Sequence, residues 1–159
     1  MRMLNNIKNM PKKDRKQEII DFASKSLQDK PQIMEKLQLG ELTKSEIEQI
    51  EALTGIDLQN YQRVIDNYAI RHTIKKHGSE STEKPRGQMP VNVEDFGLIN
   101  EIIENPDLQK DGGINKIGRQ TVVSSKELEK GNYVYVEEIR NKQEELAMQT
   151  MYIQKKKKG

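Results

Sequence analysis

Apolar residues recur at three- and four-residue intervals through the N-terminal half of the chain, and they alternate with polar residues through the last third. The first pattern predicts helices. Arg15 to Asp29 places Ile19, Ile20, Phe22, Ala23 and Leu27 at helical spacing. A second, shorter helix is expected from Pro31 to Leu39, with Gly40 as its stop. Thr43-Lys44-Ser45-Glu46 reads as a capping box ahead of Ile47, Ile50 and Leu53, and Gly55 ends that helix. A longer helix is expected from Leu58 to His77, stopped by Gly78.

From Ser79 to Asn92 the periodicity vanishes, and two prolines and a glycine make this stretch a long loop. A short helix from about Val93 to Glu104 and a turn at Asp111-Gly112-Gly113 follow. Gly118 to Ser125, Asn132 to Ile139 and Glu145 to Gln154 are then β-rich runs joined by short polar turns. The expected fold class is α+β: N-terminal helices followed by a small antiparallel β-sheet meander, with helices on one face. Residues 1–52 are expected to form a helical N-terminal segment and residues 53–159 the functional domain.

Composition narrows the function classes. Apolar and charged residues each make up 33% of the chain, so the core is small. The 27 basic residues nearly balance 25 acidic ones, and the net charge of +2 does not by itself point to nucleic acid. Charge is local instead, most visibly in Lys155-Lys156-Lys157-Lys158. The absence of cysteine excludes disulfides, thiolate metal sites and a cysteine nucleophile. No apolar run is long enough to span a bilayer, and the basic N-terminus lacks the apolar core of a signal peptide. A cytoplasmic site of action is the expectation.

Both histidines of the chain, His72 and His77, lie within RHTIKKHG. On one continuous helix His72 is in line with Leu58, Tyr61 and Ile65, which points it to the packed side. His77 then sits about 140° round the helix from it, which is not the one-face geometry of a zinc pair. Each has an ordinary structural reading: His77 as a C-terminal cap and His72 as a half-buried polar residue. On the last strand, strict alternation puts Leu146, Met148, Thr150 and Tyr152 on one face. Thr150 and Tyr152 then present two hydroxyls side by side. Arg119 and Arg86 add fixed cations. Imidazoles, hydroxyl donors and cations together suit a phosphate passing through a pentacoordinate state. No P-loop, dinucleotide fingerprint or GxSxG elbow is present.

The stretch from about Leu53 onward resembles the phage-borne branch of the barnase–EndoU–colicin–RelE-like (BECR-fold) ribonucleases. These are toxin modules found on phage head-morphogenesis-type proteins and in mobile elements. The matching pieces run in order: Asp66-Asn67-Tyr68-Ala69-Ile70-Arg71-His72, Lys76-His77-Gly78, Glu83-Lys84-Pro85-Arg86-Gly87-Gln88, Glu94-Asp95-Phe96, Asn105-Pro106-Asp107 and Gly118-Arg119-Gln120-Thr121. Val136-Glu137-Glu138-Ile139 and Leu146 to Tyr152 close the set.

The resemblance implies helices followed by an antiparallel sheet that carries the cleft. It also implies metal-independent, cofactor-free endoribonuclease activity on RNA, tRNA among the candidates, leaving a 2′,3′-cyclic phosphate. It makes His72 and His77 the candidate base and acid, in an order that it does not fix. Thr150 and Tyr152 would orient substrate or stabilise the phosphorane, and Arg119 or Arg86 would offset its charge. Arg86, Gln88, Lys126 and Lys155 would bind substrate. The lysine of the EndoU set has no unique counterpart, since Lys75, Lys76 and Lys126 all qualify. A cognate immunity or antitoxin protein is the implied partner, and delivery as part of a larger toxin or phage protein is the implied route. The alternative is a non-catalytic RNA- or protein-binding module on the same scaffold, which the scarcity of aromatics (no Trp, two Phe) favours.

Overall fold

The computed structural model describes residues 2–6, 8, 10–28 and 33–156. The chain opens as a strand–helix–strand unit: β1 (Arg2–Asn6), α1 (Lys12–Gln28) and β2 (Glu35–Glu41). Then come α2 (Lys44–Thr54), β3 (Gln62–Asp66), α3 (Asn67–His77), α4 (Glu80–Glu83), the short β4 (Gln88–Met89) and α5 (Ile99–Glu104). Four strands finish it: β5 (Leu108–Ile114), β6 (Gln120–Glu127), β7 (Asn132–Arg140) and β8 (Glu145–Gln154). They form one mixed sheet in the order β1-β2-β3-β8-β7-β6-β5, with β4 paired to the far end of β8. The α+β class is as expected.

Several elements form as the residues dictate. The Thr43 capping box is present, and Gly55 ends α2 in the left-handed conformation at φ +76°. The residue 93–104 helix forms as a 3₁₀ turn (Val93–Leu98) running into α5. The helix expected from Arg15 is α1; its expected end at Asp29, like Pro31 and Lys157-Lys158, lies outside the described residues.

Other elements differ, each for a physical reason. The helix expected up to Leu39 is the strand β2, where Leu37 and Leu39 alternate into the core. Gly40, at φ +106°, marks an irregularity in the β2–β3 register and not a helix stop. The helix expected from Leu58 to His77 is divided. Arg63, Val64, Ile65 and Asp66 are buried in a central strand, and the Asp66 carboxylate then caps α3 by accepting from Ala69 N at 2.7 Å. The expected loop at residues 79–92 holds α4, a 3₁₀ turn and β4. Asp111-Gly112-Gly113 is an irregularity inside β5, and the turn lies at Asn115 to Arg119. The first 52 residues are helix and strand together, and residue 52 falls within α2, between two neighbouring strands of one sheet.

The core lies on one face of the sheet. There Ile19, Phe22 and Ala23 of α1 and Phe96, Ile99 and Ile102 pack on Tyr133, Tyr135, Met151 and Ile153. Ile50 of α2 and Leu58 pack on Val122, Ile139 and Leu146 farther along. Each fully buried Ile, Leu or Phe contributes about 1.5–3 kcal/mol of transfer free energy. Charged side chains are buried between the central strands. Arg63 bonds both oxygens of Glu137 at 2.8 Å and Glu46 at 2.6 Å. Lys36 meets Glu145 at 2.7 Å, and Arg140 meets Asp66 and Glu138 at 2.8 Å. Together these pairs tie β2, β3, β7 and β8.

The register of β8 decides what the opposite face presents. Val136 pairs with Thr150 but Glu137 pairs with Met148, so Gln149 is an extra residue, a β-bulge. Strict alternation fails at this point. Leu146, Met148, Met151 and Ile153 all face the core, while Thr150 and Tyr152 face the other way with Val134 and Val136. Past β3, whose pairing with β8 ends at Val64 and Ala147, α3 packs along β8 and borders this second face.

Candidate active site

The C-terminal end of α3 meets the last strand. His77 lies in the last turn, and its imidazole centroid is 5.5 Å from that of Tyr152. Gly78 follows at φ −92°, so its role is close approach: a Cβ there would fall 2.5 Å from the Ile74 carbonyl oxygen. The chain then doubles back through α4, and Glu83 places Oε1 2.7 Å from His77 Nδ1. The Glu83 side chain is fully buried; its second oxygen accepts from Thr82 Oγ1 at 3.1 Å and faces Arg86 at 3.5 Å. With Glu83 bonded at Nδ1, Nε2 is the ring nitrogen of His77 left available to a substrate. Burial raises the Tyr152 phenol above its ordinary value of 10.0 and keeps it a neutral donor.

His72 is exposed, contrary to the packed position expected for it on a continuous helix. Because α3 begins only at Asn67, the alignment of His72 with Leu58 and Tyr61 never forms. His72 instead lines a cleft of about 570 Å³ with Lys76, Asn115, Val136, Glu138 and Gln149. Partial burial, then the charges of Lys76, His77 and Lys75, hold its imidazole below the ordinary 6.5. The structure thus brings both histidines to the sheet face that carries Thr150 and Tyr152. Thr150 Oγ1 is shielded from solvent and has no hydrogen-bond partner among the described residues.

The remaining candidates divide by position. The Arg119 guanidinium donates to Glu138 at 2.6 Å, so its charge is already matched beside the cleft. Burial opposes ionisation of Glu138, but hydrogen bonds and charge from Arg140 and Arg119 outweigh it and hold the carboxyl below its ordinary 4.5. Arg86, Gln88 and Lys155 gather past Tyr152: Gln88 pairs with Gln154, and Lys155 N donates to the Gly87 carbonyl at 3.1 Å. Lys126 does not join them. It pairs with Tyr133, on the core side, donates to the Asn105 carbonyl at 2.8 Å and lines a separate cleft with Lys12 and Arg15. Of the lysines open as EndoU counterparts, Lys76 is the one that lines the His72 cleft.

Sequence reasoning missed Glu83, Asn115 and Gln149. Glu83 stands in the matched Glu83-Lys84-Pro85-Arg86-Gly87-Gln88 stretch, but nothing in its spacing says that α4 folds back on His77. Among the described residues, no three His, Asp or Glu side chains group as a metal site.

Residues 41–159 match PBECR3, the family described as phage-Barnase-EndoU-ColicinE5/D-RelE like nuclease 3. The chain belongs to that family. No curated protein and no solved structure matches it. The PBECR3 match takes in α2 through β8, and with them both histidines, Glu83 and the whole cleft face. PBECR3 membership makes this a nuclease domain.

Proposed function

We propose that this nuclease domain cleaves RNA by attack of a ribose 2′-hydroxyl on the adjacent phosphate, with proton transfers carried by imidazoles and not by a metal-bound water. The observation that carries the reading is His77, held through Nδ1 by buried Glu83 and set against Tyr152 on the face that His72 also serves. His72, depressed below 6.5, is neutral at pH 7 and is the base that takes the 2′-hydroxyl proton. The 2′-oxygen bonds to phosphorus, the bond to the 5′-oxygen breaks, and His77 Nε2–H gives that oxygen its proton. The products are a 2′,3′-cyclic phosphate and a 5′-hydroxyl. Glu83, bonded at Nδ1, leaves Nε2 as the nitrogen that serves in the acid role.

Tyr152 and Thr150, whose shielded hydroxyl must be uncovered to act, supply hydroxyl donors, and Lys76, which lines the cleft, supplies positive charge to the phosphorane. Structured RNA such as tRNA is the proposed substrate class in the cytoplasm. The proposed inhibitory partner acts by covering the His72 cleft.

Incubating the purified chain with total RNA in EDTA, and testing the products for 2′,3′-cyclic ends, checks this. Cleavage is expected to persist in EDTA, and His72→Ala or His77→Ala each to lower it at least ~100-fold. Cleavage only with added metal, or full activity in both variants, overturns the mechanism.

A further inference from the structure

Asn115, in the turn between β5 and β6, has one allowed side-chain orientation. Its Oδ1 accepts from Ile117 N at 3.1 Å and Arg119 N at 3.0 Å, so its amide nitrogen must face the sheet. There Nδ2 donates to Glu138 Oε1 at 3.1 Å and to Gln149 Oε1 at 2.9 Å. The orientation of Gln149 follows. Its oxygen is committed to Asn115, and its Nε2, with two N–H groups, has no protein acceptor among the described residues.

Gln149 is the bulge residue of β8 and lines the same cleft as His72. The β5–β6 turn adds two apolar side chains to that lining. Ile114 and Ile117 stand 65% and 67% exposed, which leaves aliphatic surface open to a ligand in the cleft. A neutral, fixed donor beside exposed aliphatic surface is poorly matched to a phosphate, which favours charge. It is well matched to a nucleobase, which offers an apolar face and an edge of acceptors.

We propose that Gln149, with Ile114 and Ile117, forms a nucleobase subsite beside the scissile phosphate. There Nε2–H favours keto bases (uracil, guanine), whose exocyclic O4 or O6 accepts, over amino bases (cytosine, adenine), whose exocyclic N4 or N6 donates at the same position. The inference rests on the RNA-cleavage reading and specifies its substrate. One hydrogen bond of this kind is worth up to about tenfold in relative rate.

Mapping cut sites on an RNA of mixed sequence tests it, with the parent chain, Gln149→Met and Gln149→Glu run side by side. Methionine keeps the volume and removes the donor. Glutamate keeps an oxygen for Asn115 and turns the outward group into an acceptor. The parent is expected to favour keto bases roughly tenfold, Gln149→Met to level that preference, and Gln149→Glu to turn it toward amino bases. A parent without keto preference, or a preference that survives unchanged in both variants, overturns the subsite and leaves the nuclease mechanism standing. If the parent cuts no RNA at all, the RNA reading falls and the subsite falls with it.

Discussion

Replacing Arg63 with methionine removes one member of a buried charge pair and leaves the other with no counter-ion. Arg63 is 4% exposed, Glu137 is fully buried, and two 2.8 Å bonds join them. Burial opposes the arginine charge, but Glu137 and Glu46 outweigh it and hold the guanidinium firmly protonated. The same carboxylate, after burial itself, keeps the nearby Tyr135 phenol neutral. Without Arg63, Glu137 has neither water nor a cation, a situation that costs about 3–5 kcal/mol. Glu46 is different, because its side chain is 23% exposed and turns to solvent at little cost.

At ~2–4 °C of Tm per kcal/mol for a chain of this size, Arg63→Met is expected to lower Tm by roughly 6–20 °C. The double variant Arg63→Met/Glu137→Leu removes both charges and is expected to recover most of that loss. Thermal melts followed by circular dichroism measure both. If the single variant is as stable as the parent, or less destabilised than the double, the reasoning about an uncompensated Glu137 is refuted. Activity per folded molecule is expected to stay near the parent value, since the pair lies on the core face and not in the His72 cleft.

The other predictions concern the cleft. Glu83→Gln keeps the side-chain volume but removes the carboxylate at His77 Nδ1, and is expected to lower kcat about 10–100-fold, read in a single-turnover RNA assay. Because Lys76 helps to hold His72 below 6.5, the acid limb of the kcat/KM profile is expected below pH 6.5 in the parent. In Lys76→Ala that limb is expected to move up toward 6.5, whatever the change in maximum rate; a limb that stays or moves down speaks against His72 as the base. Thr150→Val removes a hydroxyl that has no protein partner, so a melt is expected to stay within about 1 kcal/mol of the parent while turnover falls. Equal turnover takes Thr150 out of the site.

Legibility in the sequence followed locality. The capping box at Thr43, the three C-terminal strands and the pairing of Thr150 with Tyr152 are set by neighbours in the chain, and all could be read from spacing. β2 and β3 could not, because Leu37-Gln38-Leu39 and Val64-Ile65 are too short to separate strand from helix by period alone. Their state is decided by partners far along the chain, β3 by β8 and β2 by β3. The same limit explains Glu83 and Gln149. One acquires its role when α4 folds onto α3, the other through a bulge that appears only once β8 is laid against β7. The surroundings of His72 are equally illegible in spacing, since its exposure depends on where α3 starts.

The family match begins at Glu41, the last residue of β2, so the segment it delimits omits β1 and nearly all of β2, the strand that covers one edge of β3. A fragment trimmed to that boundary would turn β3 from an interior strand into a rim, baring its backbone donors and acceptors beside Val64 and Ile65. It would also strip Lys36 from Glu145, leaving that carboxylate only the more distant Arg140, at 3.6 Å. The N-terminal strand–helix–strand unit thus carries the rim of the sheet outward from β3 to β1 and leaves the apolar β3 in the interior.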